Sequence, residues 1–164
     1  MADSNSLQDC LNAAYHYLSY RPRSEGEMRD WLRRRGFDKG VVEQAIIELR
    51  EQNLSDDFSF ARFWRDNRLS FRPKSKRLIG KELRDKKVAT EIVEQVIEDI
   101  DDEATAYELG RSRMSALARL DYPGFYRRLS GYLAYRGFSY QVIRDTAARL
   151  WREKEDGRSS AHQR

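Results

Sequence analysis

RPRS at residues 21–24 returns as RPKS at residues 72–75, 51 positions later. The chain has three prolines. Pro22 and Pro73 lie in these quartets, and Pro123 follows Pro73 by 50 positions. Aligning the chain on its prolines brings an apolar register with them. Met28, Ile79 and Leu129 coincide, as do Leu32, Leu83 and Leu133, then Phe37, Val88 and Phe138, then Val42, Val93 and Ile143, then Leu49, Ile100 and Leu150. Arg35, Lys86 and Arg136 also share one position, and VEQAI (42–46) is nearly repeated as VEQVI (93–97). Self-similarity at a period of 20–50 residues is the mark of a repeat architecture.

Each repeat reads as helices. Amphipathic stretches precede the prolines at Leu7–Leu18, Phe58–Leu69 and Ala104–Leu120. After each proline a second stretch closes on WLRRRGF (31–37) or YLAYRGF (132–138), where Gly36 and Gly137 fit a helix C-terminus. Lys87 holds that place in the middle repeat. A third stretch follows at helical spacing, as in Val42, Ala45, Ile46 and Leu49. Ser24 with Glu27 forms a capping box, and Asp38, Thr90 and Ser139 are candidate N-caps. The prolines mark helix junctions, where a fixed φ and a missing N–H are tolerated, and the residue before each is pushed out of the helical region. The expectation is an all-α protein of three tandem three-helix repeats, an elongated and curved array. The repeats span residues 1–54, 55–101 and 102–153, and a flexible polar tail that frays spans 154–164.

With 164 residues, 35% charged and 12% aromatic, the chain can build a core. Its single cysteine, Cys10, permits no internal disulfide, which fits a reducing compartment. No signal-peptide pattern opens the chain and no apolar run approaches the ~20 residues of a membrane span, so a cytoplasmic monomer away from membranes is expected.

No catalytic constellation emerges. Cys10 lies on an apolar face with Leu7, Leu11 and Ala14 and reads as a small side chain packed against the next repeat. His16 is six positions away and His162 lies in the tail, which makes neither a nucleophile–base pair nor a zinc site. Gly80-Lys81 lacks the other elements of a phosphate loop. Asp56-Asp57, with Ser55, caps and charges a helix start. The reading is a non-enzyme with no cofactor and no metal.

The charges are segregated. The net charge is +4, with pI about 9.2. From Arg62 to Lys87 there are eleven basic and three acidic residues, interleaved with Phe63, Trp64 and Phe71, whereas no Lys or Arg occurs from Ala89 through Leu109. The aromatics are expected in the core. A basic stripe can contact phosphates, and equally can be a solvated face with pairs such as Asp66 with Arg62 or Glu82 with Lys86. The candidate contact strip is Arg72, Lys74, Lys76, Arg77, Lys81, Arg84, Lys86 and Lys87, with Arg35 and Arg136 as further candidates. Two other uses remain open: a stand-alone DNA-binding module, and an adaptor that docks a basic protein on the acidic segment 90–103.

These stretches resemble the RecX family, regulators of the RecA recombinase. RPRSEGEMRDWLRRRGF (21–37) is similar to the family's arginine, Arg-Ser-Glu and helix closing on Lys/Arg-Gly-Phe. LSDDFSFARFWRDNR (54–68) resembles its Leu-Asp-Asp and Phe-Ala stretch, and IGKELRDKKV (79–88) its Ile, Glu-Leu and Lys-Gly-Ile segment. Asp102-Glu103 before Ala106, with LSGYLAYRGFS (129–139), resemble its last repeat. The departures are Lys87 for a glycine and Ser55 inside the Leu-Asp-Asp run. The resemblance, over about residues 7–153, implies binding along the groove of a RecA filament on single-stranded DNA. It also implies modulation of RecA, usually inhibition of its ATP hydrolysis, strand exchange and SOS coprotease activity, and hence regulation of DNA repair, with the single strand contacted directly or through RecA.

Overall fold

The computed structural model describes residues 6–163. Among them are nine helices and no strand: α1 (Leu7–Leu18), α2 (Glu25–Arg34), α3 (Lys39–Glu51), α4 (Asp57–Phe71), α5 (Lys76–Asp85), α6 (Thr90–Ile97), α7 (Asp102–Leu117), α8 (Tyr122–Tyr135) and α9 (Tyr140–Ala161). Three helices follow one another three times. The chain forms two compact units, Met1–Asn67 with Gly80–Glu98 and Arg68–Ile79 with Asp99–Arg164.

The aligned apolar positions form the core, apart from Phe37 and Ile100, which are only partly buried. Met28, Ile79 and Leu129 are fully buried, as are Leu32, Leu83 and Leu133. In the first unit Cys10, Leu11 and Ala14 of α1 close with Met28, Leu32, Val42, Ile46 and Leu49 into one cluster. Cys10 therefore packs within its own repeat rather than against the next, and burial raises its thiol pKa. In the second unit Ala106 and Leu109 of α7 pack with Phe125, Leu129 and Leu133 of α8 and with Ile143, Ala147 and Leu150 of α9. The part of the middle repeat that belongs to the first unit is tied by polar contacts as well. Trp64 Nε1 donates to Glu82 Oε2 at 2.8 Å, and Arg65 donates to the Val96 carbonyl at 3.0 Å.

Each second helix ends in the same motif. The N–H of Phe37, Val88 and Phe138 returns to the carbonyl of Leu32, Leu83 and Leu133, and that of Gly36, Lys87 and Gly137 to Arg33, Arg84 and Ala134. This requires a left-handed residue, supplied by Gly36 (φ 97°) and Gly137 (φ 91°). Lys87 adopts it as well, at φ 63°, despite its Cβ.

The helix starts follow the sequence in part. Ser24 and Glu27 form the expected capping box, and Ser139 caps α9. Asp38 stands at the N-cap of α3 without a side-chain bond. Ala89, not Thr90, is the N-cap of α6. Ile100 falls beyond α6, because Glu98 and Asp99 oppose the helix dipole at its C-terminus and Asp101 then caps α7. The acidic segment 90–103 is thus two helix ends and a link. Pro22 and Pro73 precede their helices by three residues, whereas Pro123 lies inside the first turn of α8 and Tyr122 before it is helical. In the segment from Lys154, expected to fray, α9 stays helical to Ala161; Glu, Lys and Arg are good helix formers. No described helix is long and apolar enough to cross a membrane.

Candidate functional site

A proline-plus-two serine organises a junction between successive repeats, and the same junction is built once in each unit. In the first unit Ser24 is fully buried and its Oγ donates to the Lys86 carbonyl at 2.6 Å. In the second, Ser75 is 1% exposed and its N–H donates to the Arg136 carbonyl at 2.9 Å. Lys86 and Arg136 are equivalent positions. An aspartate opening the following helix completes each junction. Asp57 accepts from the Glu25 N–H at 2.9 Å, and Asp102 from the Lys76 N–H at 2.7 Å. The two acidic pairs thus divide their work. Asp56 and Asp101 cap their own helices, while Asp57 and Asp102 reach back to the helix N-terminus of the preceding repeat, where a carboxylate is favoured. Ser55, which separates Leu54 from the first pair, is buried and donates to Glu25 Oε1.

The junctions differ in their side chains. At the first, Glu27 is nearly buried. It accepts from Arg21 at 2.6 and 3.2 Å, from Lys86 Nζ at 3.1 Å and from the Ser24 N–H at 3.0 Å. Burial opposes its charge, but Arg21, the Ser24 N–H and Lys86 outweigh it and hold the carboxyl below the usual range. Arg23 lies over the Tyr17 ring at 3.9 Å, and Lys86 over Trp64 at 4.3 Å. Glu25 is likewise held low, chiefly by its hydrogen bond from Arg50.

At the second junction Leu78 stands where Glu27 stands at the first, and Tyr135 stands where the first has Asp85. The result is an open groove of about 500 Å3 lined by Arg68, Arg72, Lys74, Leu78, Tyr135 and Arg136. None of the six is acidic. Four cations converge from the end of α4, the α4–α5 link and the end of α8. Arg136 is oriented by its bond to the Pro73 carbonyl at 3.0 Å and by the Tyr132 ring at 5.0 Å. Tyr135 is 88% exposed and Phe71, on the same unit, 78%. Phe71 is thus not the core residue the sequence implied, and Phe63 is also exposed, whereas Trp64 is half-buried.

The candidate strip divides between the units. Arg72, Lys74, Lys76, Arg77 and Arg136 belong to the second; Arg72, Lys74 and Arg136 line the groove, and Arg77 is exposed. Arg35, Lys81, Arg84, Lys86 and Lys87 belong to the first. There Lys86 serves the junction, Lys87 pairs with Asp30 at 2.6 Å, and Lys81 pairs with Asp85 at 2.8 Å. Arg35 lies over the Trp31 ring at 4.7 Å, and Arg84 is exposed. The anticipated pairs are different ones: Asp66 meets Arg65, Glu82 meets Trp64, and Lys86 meets Glu27. Arg68, Leu78 and Tyr135 are the groove residues missing from the strip. The signal for Tyr135 lay in the repeat alignment, where it falls with Arg34 and Asp85 at a position that otherwise carries charge. Among the described residues no His, Cys, Asp and Glu group could hold a metal ion.

Three family models match in order: RecX, first three-helix domain, at residues 10–49; RecX, second three-helix domain, at residues 56–97; and RecX, third three-helix domain, at residues 101–147. The regulatory protein RecX of Prosthecochloris aestuarii is 33% identical over 150 residues, covering 92% of this chain and 98% of that one. That of Corynebacterium efficiens is 37% identical over 138 residues, covering 79% and 66%. The crystal structure of RecX from Lactobacillus salivarius shares the fold with a TM-score of 0.76 at 23% identity, covering 92% and 98%. All three repeats are matched in sequence and order, and the chain belongs to the RecX family of regulatory proteins.

Proposed function

We propose that this protein regulates the RecA recombinase by binding the RecA filament on single-stranded DNA. In doing so it inhibits ATP hydrolysis, strand exchange and coprotease activity without chemistry of its own. The observation that carries this reading is the second-junction groove, where four cations meet with no acidic residue in the lining. At the equivalent place in the first unit the chain neutralises its cations with Glu27. A surface of this kind fits an anionic nucleoprotein, and repeated junctions fit a partner made of repeated protomers. Many modest contacts then supply affinity, and the outlying charges act through encounter rate and orientation.

The test is ATP hydrolysis by the cognate RecA on single-stranded DNA at physiological salt, with this protein titrated in. The expected result is loss of turnover well below one protein per RecA. Full turnover at an excess of the protein, with no filament binding, would sink the reading. Reversing Lys76, Arg77 and Lys81 together to Glu is expected to weaken filament binding at least tenfold, a loss of about 1.4 kcal/mol. The melting temperature should change little, since Arg77 is exposed and the Lys81–Asp85 pair is 62% and 63% exposed, where ion pairs contribute little. Unchanged filament binding would remove the strip from the contact.

A further inference from the structure

We infer that the chain carries two copies of one apolar docking groove, one in each unit. Each copy takes the same amphipathic, basic helix from a partner that presents this helix repeatedly.

The first argument is that the two grooves are built from equivalent positions. The first, in the first unit, has a volume of about 440 Å3 and is lined by Leu18, Pro22, Leu54, Ser59, Phe60 and Phe63. The second, in the second unit, also of about 440 Å3, is lined by Leu69, Pro73, Ala104, Thr105, Glu108 and Leu109. Leu69 and Pro73 lie 51 positions after Leu18 and Pro22. Setting Asp56-Asp57 on Asp101-Asp102 brings Ser59, Phe60 and Phe63 onto Ala104, Thr105 and Glu108. It also brings Ala61 onto Ala106, and both of these are fully buried. Each groove is therefore formed by the end of one repeat's first helix, with its proline, and the first two turns of the next repeat's first helix. A cleft that recurs at the same positions belongs to the repeat and not to one patch of surface.

The apolar side chains at these places are left bare. Leu54 and Phe63, in the first groove, are 47% and 36% exposed. Tyr20 and Phe71, two residues after Leu18 and Leu69, are 71% and 78% exposed. Grouped apolar side chains that the chain does not cover itself mark an interaction surface, and a cleft among them buries an apolar anchor of the partner.

The second argument, from charge, selects the anchor. Asp56 is among the residues lining the first groove, and Glu108 among those lining the second. The bond from Ser59 holds the Asp56 carboxyl below its usual range. Glu108 meets Arg111 only at 3.8 Å, with both side chains exposed. Arg23, the cation in the first lining, is engaged by the Tyr17 ring at 3.9 Å and by the Tyr17 carbonyl. An apolar cleft beside a carboxylate suits an apolar side chain with a lysine or arginine close by. A helix with apolar residues at i and i+3 or i+4 and a basic neighbour presents this pattern. Two identical grooves call for two identical helices, which a filament of identical protomers supplies. The inference rests on the function proposed above for the identity of that partner.

The experiment places a photo-cross-linking phenylalanine analogue in turn at position 54 and position 104 of the full chain. Leu54 and Ala104 are both exposed, so folding is not at stake. Each protein is irradiated with the cognate RecA filament, and the joined peptides are identified. The expected result is one RecA segment captured from both positions, helical and carrying apolar and basic residues. Binding to the filament is measured alongside. Phe63→Ser, which removes an apolar wall of the first groove, and Ala104→Trp, which fills the second, should each weaken it about tenfold. The two together should weaken it by more than about a hundredfold, since each groove holds the other's helix close. Tyr140→Ser removes a ring that is 70% exposed outside both grooves and should change nothing.

Unrelated RecA segments captured from the two positions overturn the shared helix. Capture of a second copy of this chain assigns the grooves to self-association and overturns the RecA helix as their occupant. Wild-type binding and inhibition of RecA, with no cross-link and no loss in the variants, removes the grooves and leaves the regulatory function standing. A wild type that neither binds nor inhibits RecA removes that function, and this occupant with it.

Discussion

Gly26→Ala is expected to destabilise this protein by about 2 kcal/mol, although the same exchange in a helix ordinarily stabilises by up to about 1 kcal/mol. Gly26 is in the first turn of α2 and fully enclosed. A Cβ built there would overlap the Lys87 Cβ and crowd its Cγ and Cδ at 3.2 and 3.1 Å. Lys87 cannot retreat, because its backbone is fixed in the left-handed region with its N–H bonded to the Arg84 carbonyl. At the second junction the turn residue is Gly137, and the helix position equivalent to Gly26 carries Arg77. One side of each junction therefore gives up its side chain.

Replacing Lys87 by Gly should accordingly be close to neutral. It relieves about 1 kcal/mol of left-handed strain and loses an exposed pair with Asp30 worth less than that. In that background Gly26→Ala should cost no more than about 0.5 kcal/mol, a coupling of about 1.5 kcal/mol or more in a double-mutant cycle. Gly131→Ala, in α8 with open space around it, is the control and should stabilise. The measurement is urea unfolding of the four variants. A stabilising Gly26→Ala, or additivity in the cycle, would show that the two elements do not close on one another at this point.

This pair shows what the sequence could tell and where it stopped. The register of Met28, Ile79 and Leu129 and the glycines Gly36 and Gly137 are local signals: an apolar period and a backbone requirement each leave a mark at their own position. Nine helices in threes followed from them. The replacement of glycine by Lys87 was legible as a departure, but its compensation by Gly26, 61 positions earlier, was not, since Gly26 reads alone as a weak helix residue. The site suffered in the same way. The strip from Arg72 to Lys87 is one run of charge in sequence, and folding sorts it by partner. Lys86 and Lys87 are drawn into ion pairs with Glu27 and Asp30, while Arg72 and Lys74 are gathered with Arg136 from the next repeat. Charge counts report composition, whereas a site depends on which carboxylate lies within reach. Only the alignment of repeats, with Leu78 opposite Glu27 and Tyr135 opposite Asp85, carried that information before the structure.

The exchange of those two residues yields the second large effect. Glu27→Leu, which gives the first junction the residue of the second, is expected to lower stability at neutral pH by about 2–3 kcal/mol. It leaves Arg21 and Lys86 without their carboxylate in surroundings where their side chains are only 28% and 21% exposed, short of the full cost of breaking a buried pair. The pH dependence identifies the cause. Glu27 is held below its ordinary pKa of about 4.3, so the native state binds fewer protons than the unfolded one in that range. Its contribution is therefore present above that pKa and is lost as pH falls through the lower native value. Glu25, held low first by its bond from Arg50, behaves alike and persists in the variant. Asp57, raised chiefly by burial, works in the opposite sense, since the native state accepts its proton more readily. Wild type should thus lose stability below about pH 4 more steeply than Glu27→Leu, and the gap between them should narrow with acid. A gap that is constant with pH would mean that the leucine disrupts packing rather than removing a charge.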